Sequence, residues 1–420
     1  MQHLSLRTRT LAHIPALFAV LVASALLTLP SAAGASCAWN LTPTVNPSQN
    51  NLLVGVAGSS SSDAWTVGFS ASSPRALTLA EHWNGTAWTL AATPNPSSYG
   101  NILSAVADLS ATNAWAVGKQ YVDSSGNPQA LILHWDGSVW SVVPAPTLAG
   151  SYTNLFRMRA ISPTNIWAVG RSYSQSSGLP GPLIEHWNGT TWKIIVSPNL
   201  GAFGGSLDAV SATAANDVWV AGGTYTNSSY TSFVTLTEHW NGFKWKIVPS
   251  PNANNNDNVL NALVSIAKND AWAVGDYYTG SIFQTLTERW NGSAWSIVKS
   301  PDVGAAGDGI FGVAALSSRS VWAVGESFTA SGGGSTLSLK WNGTKWTVVP
   351  SPNLAGGNPD VFEDANAVPG GTTFWAAGAS FYPSTGRPDQ TLAARYVCAA
   401  SADPWNPGGE GANRPRYRFR

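Results

Sequence analysis

Two tryptophan landmarks recur about every fifty residues along most of this 420-residue chain. The first is Trp-Ala-Val-Gly or a close variant. It begins at Trp65, Trp115, Trp167, Trp219, Trp272, Trp322 and Trp375, in steps of 50, 52, 52, 53, 50 and 53 residues. The second, Glu-His-Trp-Asn-Gly-Thr-Thr-Trp, spans residues 185–192. Near copies start at Glu81, Glu238 and Glu288, and weaker ones at Leu133 and Leu339. A unit this short cannot bury its apolar face alone, so units must pack against each other, and a residue has to be judged by its place in the unit before it is given a role.

Each unit reads as four strands. In the second, residues 103–109 form the first strand and 110–113 a tight turn. Residues 114–118 form the next, followed by a polar loop over 119–128; residues 130–135 return, Asp136-Gly137 turns, and 139–143 close the unit before Pro144 and Pro146 stop pairing. Asn-Gly or Asp-Gly between apolar runs is a strong hairpin signal and stands in six successive units. Leu79, Leu131, Leu183, Leu236, Leu286 and Leu337 each lie four residues before a landmark Trp, with Leu392 matching in the last unit, which marks a buried row at strand period.

Counting tryptophans tests the scheme. Six units carry three of the 21, Trp375 belongs to the seventh and Trp405 to the tail, which leaves Trp39. The stretch around Trp39 aligns with the fourth strand around Trp88, while the seventh unit stops at Cys398, just where its own fourth strand should begin. The orphan strand and the missing strand are one piece cut at a turn. The expected fold is an all-β, seven-bladed β-propeller of four-stranded antiparallel blades, closed by N-terminal residues 38–44 so that no sheet edge is left open.

The two cysteines, Cys37 and Cys398, flank that cut turn, so a disulfide across the seam is expected in an oxidising compartment. The competing reading makes Cys37 a lipidated N-terminus, since residues 34–37 loosely resemble a lipoprotein cleavage box. Residues 1–35 have arginines, an apolar run and a small-residue cleavage site, the pattern of a secretory signal peptide. The domain plan is therefore leader 1–35, propeller 36–398, and a flexible basic tail 399–420 with Arg414, Arg416, Arg418 and Arg420. No later stretch is long enough to span a bilayer, and the product is expected outside the cytoplasm as a monomer. Lys plus Arg equals Asp plus Glu, 22 each, which argues against nucleic acid as a partner.

The strand order, with Gly118, Trp135-Asp136 and Trp140 at matching places, resembles the kelch repeat of galactose-oxidase-type propellers over roughly 37–398. Kelch units carry two glycines after the second strand, whereas here only Gly222-Gly223 is double. The resemblance implies a secreted kelch-like propeller. A copper radical site of the galactose-oxidase type would need a cysteine crosslinked to tyrosine, and both cysteines are assigned to the seam; no cofactor or metal is expected.

Sites on such a ring are expected on the rim whose loops vary, after strands two and four. Following the second-strand Gly, the units show Phe69, Lys119, Arg171, Gly223, Asp276, Glu326 and Ala379, cationic in blades two and three and acidic in five and six. In the first strand of the third unit, Arg157 and Arg159 replace small residues and could clamp a carboxylate, unless an acid such as Asp208 pairs with them. His82, His134, His186 and His239 share one repeat position with Arg289, Lys340 and Arg395, so they are structural. Tyr121, Tyr173, Tyr225, Tyr278, Phe328 and Phe381, each three residues past the second-strand Gly, are expected to anchor loops rather than form a sugar-stacking platform. The expected function is non-catalytic recognition of an extracellular glycan or surface protein. The alternative is a carbohydrate-active hydrolase or lyase drawing on Asp208, Asp276, Asp308, Glu326, Glu363 and Asp364, among which no motif selects a pair.

Overall fold

The computed structural model describes residues 37–72, 75–198, 200–229, 232–330, 333–354, 359–381 and 389–398. The expected leader and tail lie outside these described residues. The described strands form seven four-stranded antiparallel sheets, the first being Asn50–Ser60, Asp63–Ser72, Arg75–Trp83 and Trp88–Ala91. The first strands of successive blades touch one another around the ring, and that of blade seven returns to that of blade one, so these inner strands surround a central channel. The fold is the expected seven-bladed propeller.

Blade seven holds Asp360–Ala367, Phe374–Ser380 and Gln390–Cys398, and its fourth strand is the N-terminal Cys37–Leu41. Here Trp39 stands opposite Tyr396, as Trp88 stands opposite Trp83 in blade one. Cys37 and Cys398 are direct partners in that pairing and are joined by a disulfide. The closing strand is shorter than the expected 38–44. Past Leu41 the chain stays attached by single hydrogen bonds, from Thr42 N–H to the Ala393 carbonyl and from Thr44 Oγ1 to the Thr391 carbonyl.

The tryptophans are the mortar between blades. Trp65 of blade one meets Trp135 and Trp140 of blade two, with ring centroids 5.0 Å apart in each case. The same triplet repeats around the ring to Trp375, which meets Trp83 and Trp88 of blade one at 5.2 and 5.0 Å. At the seam, Tyr396 and Trp39 take the two tryptophan places against Trp322. Offset and edge-on geometries of this kind suit aromatic quadrupoles, and each fully buried ring contributes a large apolar area. The expected leucine row is buried throughout, each leucine standing opposite a second-strand Gly, as Leu183 does opposite Gly170.

That Gly has a steric cause. In every blade the inner strand carries a bulge at the same height: one residue, such as Phe156 between Leu155 and Arg157, has no partner in the second strand. The extra residue pushes the inner backbone against the second strand. A Cβ at Gly118, Gly170 or Gly275 would stand 2.0–2.1 Å from the carbonyl oxygen of Ile102, Asn154 or Val259. Only glycine lets the two backbones come so close.

Candidate functional site

The bulge leaves one unpaired residue per blade toward the long-loop end of the inner strand: Val54, Ser104, Phe156, Asp208, Asn261, Phe311 and Glu363. The residue before each is a fully buried Leu, Ile or Phe, constant in character, while the bulge residues are of six types. Sequence reasoning passed over this ring, apart from Asp208 and Glu363. A single variable position behind a buried aliphatic at repeat spacing was the signal that could have found it.

Lys119, Arg171, Asp276 and Glu326 do not lie in the loops. The second strands run two to four residues past the Gly, because the inner and third strands both pair with them: Lys119 stands between Ile102 and Ala130, Arg171 between Asn154 and Pro182. These positions lie beside the bulge ring. Asn261 donates from Nδ2 to Asp276 Oδ1 at 2.7 Å and to the Ile310 carbonyl at 3.0 Å, tying blades five and six. Arg171 donates to the Tyr225 hydroxyl of blade four at 3.0 Å and lies against the rings of Tyr173 and Phe156 at 4.7 and 5.7 Å. Lys119 lies over its own blade's Tyr121 at 5.2 Å.

The charges at this level fall into two groups. Asp208 is influenced by both Arg171 and Arg157, yet burial outweighs them and raises its carboxyl. On the other side, Glu326 is raised to about 7 by burial, then by the like charges of Glu363 and Asp276. Asp276 is raised to about 6 by burial, which its hydrogen bond from Asn261 only partly offsets. Glu363 and Asp364 are raised by burial against the pull of Arg157. At about 6 and about 7, Asp276 and Glu326 hold or release a proton near neutral pH. Asp308 stands apart: it accepts from the backbone of Val303 and Gly304 at 2.8–3.1 Å and is fully buried, a structural cap for its loop.

Arg157 and Arg159 do not form a clamp. Arg157 crosses the channel at bulge height, its Nη2 donating to the Glu363 carbonyl at 3.1 Å and the Phe311 carbonyl at 3.4 Å, while Nη1 donates to its neighbour Phe156 at 3.3 Å. It is thus a bar between blades three, six and seven. Arg159 lies beyond the bar, in the half of the channel that ends at the short turns.

The histidines are structural by their contacts. Each stacks on its blade's landmark Trp, with centroids 4.2–4.6 Å apart, and shares a hydrogen bond with Asp63, Asn113, Asn165 or Asp217 at 2.7–3.0 Å. Arg289, Lys340 and Arg395 lay a cation over the same ring in blades five to seven. Ser59, Asp63 and His82 only outwardly suggest a hydrolytic triad: the serine donates to the aspartate, not to the imidazole that would have to activate it. Among the described residues no group of three or more His, Cys, Asp and Glu is arranged to hold a metal ion, and no helix is long and apolar enough to cross a membrane.

No family model and no curated protein matches the chain. Among solved structures, it is similar to YCF48 bound to D1 peptide, at 14% identity over 88% of this chain and 97% of that one, with a TM-score of 0.52. It is also similar to an ulvanlyase, a polysaccharide lyase, at 9% identity over 85% of this chain and 94% of that one, with a TM-score of 0.50. At such identities the likeness is one of fold, the β-propeller.

Proposed function

We propose that this protein is a secreted, non-catalytic binding propeller that recognises an extracellular glycan or surface protein at the long-loop mouth of its channel. The observation that carries the reading is the bulge ring. Where tryptophans, leucines and glycines repeat from blade to blade, the bulge residues differ, and beside them Lys119 and Arg171 with their aromatic neighbours stand on one side of the ring and Asp276 and Glu326 on the other. A rigid ring presenting unlike side chains at one mouth suits recognition of one orientation of a polar ligand. The unit order supports a kelch-like origin, and of the similar folds one was solved with a peptide and another is a polysaccharide lyase.

The test is incubation of residues 36–420 with a panel of polysaccharides and surface-protein extracts, recording retention and released oligosaccharides together. Retention without products is expected; absence of retention anywhere would overturn the reading. A second reading is favoured by one observation: Asp276 and Glu326, held at about 6 and about 7 in the same acidic group, suit a proton acceptor and a proton donor. A hydrolase or lyase of this kind would release products with a pH profile governed by apparent values near 6 and 7, and Glu326→Gln would abolish release while sparing retention.

A further inference from the structure

Beyond the Arg157 bar the channel opens into a chamber of about 410 Å³. Its walls are the inner-strand segments that run from the bulge to the short turns, and none of the seven bulge residues lines it. At the position opposite the landmark Trp the other blades supply Ala57, Ala107, Ser211, Val264, Ala314 and Asn366, and blade three supplies Arg159. Most polar groups of the wall are engaged with backbone, while Asp108 Oδ1 and the Ser265 hydroxyl have no hydrogen-bond partner. Asn366 accepts from Gly58 N–H at 3.1 Å, Ser211 from Ser265 N–H at 2.9 Å, Asp364 from Val56 N–H at 3.0 Å and Asp108 from Ser59 N–H at 2.8 Å. Arg159 is the unengaged cation of the wall. It reaches solvent inside the ring and makes no hydrogen bond or ion pair with the described residues. Although its side chain meets the water of the channel, the protein around it limits that hydration and draws the pKa below the usual value, with no acid near enough to offset this, while burial raises Asp364 and lifts Asp108 to about 7.

We propose that this chamber is an oxoanion site in which Arg159 receives a carboxylate carried on a small aliphatic body. A guanidinium without a partner presents a planar fork that matches a carboxylate through two parallel N–H···O bonds. The walls decide what else enters. The short side chains of Ala57, Ala107, Ala209, Ala262 and Ala314 give a small aliphatic remainder room and contact, and the lining offers no aromatic face on which a sugar ring could stack. Two sources carry this chemistry, a free short-chain acid and the C-terminus of a peptide.

Calorimetric titrations with butyrate, with the tripeptide Ala-Ala-Val as free acid and as amide, and with glucuronate test the proposal. At least one of butyrate and the tripeptide acid should bind, the amide should not, and Arg159→Gln should weaken binding by about 10-fold or more with the melting temperature unchanged. Butyrate binding alone points to a free acid as the source; tripeptide binding alone points to a chain end. Should Arg159→Gln shift the melting temperature, Arg159→Lys replaces it, which keeps the charge, loses the fork, and is expected to bind more weakly than the native protein. No binding by either acid, equal binding of acid and amide, unchanged binding by the Arg159 variants, or tightest binding of glucuronate would each overturn it. None of these outcomes bears on the long-loop mouth, which lies on the other side of Arg157.

Discussion

A methyl group at Gly170 would stand 2.0 Å from the Asn154 oxygen, and its nearest neighbours are all inner-strand backbone of Asn154 and Leu155, which cannot turn aside as a side chain can. Gly170→Ala is therefore expected to destabilise by roughly 3 kcal/mol or more, because relief would require the bulge to flatten. Gly371→Ala, whose added Cβ meets nothing closer than 3.8 Å, should stay within about 0.5 kcal/mol. Equal denaturation midpoints for the two variants would contradict the steric account. At this scale the sequence was half legible. The landmark glycine was plain, but its cause was not, since a one-residue bulge leaves period-2 alternation nearly intact on either side. Arg157 and Arg159 were legible as a departure from small residues. Their separation was not, because a long side chain can cross a channel whose width no spacing reveals.

The third strand carries a less visible cost. Glu81, Glu185, Glu238 and Glu288 are fully buried; Glu81 accepts from Val45 N–H at 3.0 Å and Glu238 from the Ser197 hydroxyl at 2.7 Å, whereas both oxygens of Glu185 lack a hydrogen-bond partner. Burial raises Glu185 from its ordinary 4.5 to about 8. Between those values the unfolded chain has lost the proton and the folded chain keeps it, so stability falls as pH rises through this window and levels off above about 8. Leu133 and Leu339 fill the same place in blades two and six, which makes Glu185→Leu a change the blade already tolerates. Its melting temperature should match the native protein near pH 4 and exceed it increasingly toward pH 8, by an amount corresponding to at most about 4–5 kcal/mol. A gap independent of pH would contradict this. The glutamates were legible as a repeat feature, but their burial was not, since a charged residue in a strand ordinarily faces water.

At the scale of the whole ring, the seam is where the propeller holds its ends together. The Cys37–Cys398 bridge closes a loop of sequence separation 361, which chain entropy values at about 5–6 kcal/mol at most. Replacing both cysteines with serine should lower the melting temperature and bring the protein to the value it shows under reductant; no change would mean that the Trp39 strand holds the ring unaided. Blade number, strand order and the seam could all be read from tryptophan spacing, because a ring of identical interfaces repeats its landmarks. The contents of the mouth could not, because they lie where repetition fails, at Phe156, Asn261 and Phe311 as much as at the charged positions. The most direct test of that reading compares retention of the native protein with that of a variant carrying Arg171→Gln, Asp276→Asn and Glu326→Gln on whichever surface polymer or protein binds it. The account predicts that the variant folds with its melting temperature kept and loses retention about 10-fold or more. Undiminished retention would move the binding site away from the mouth.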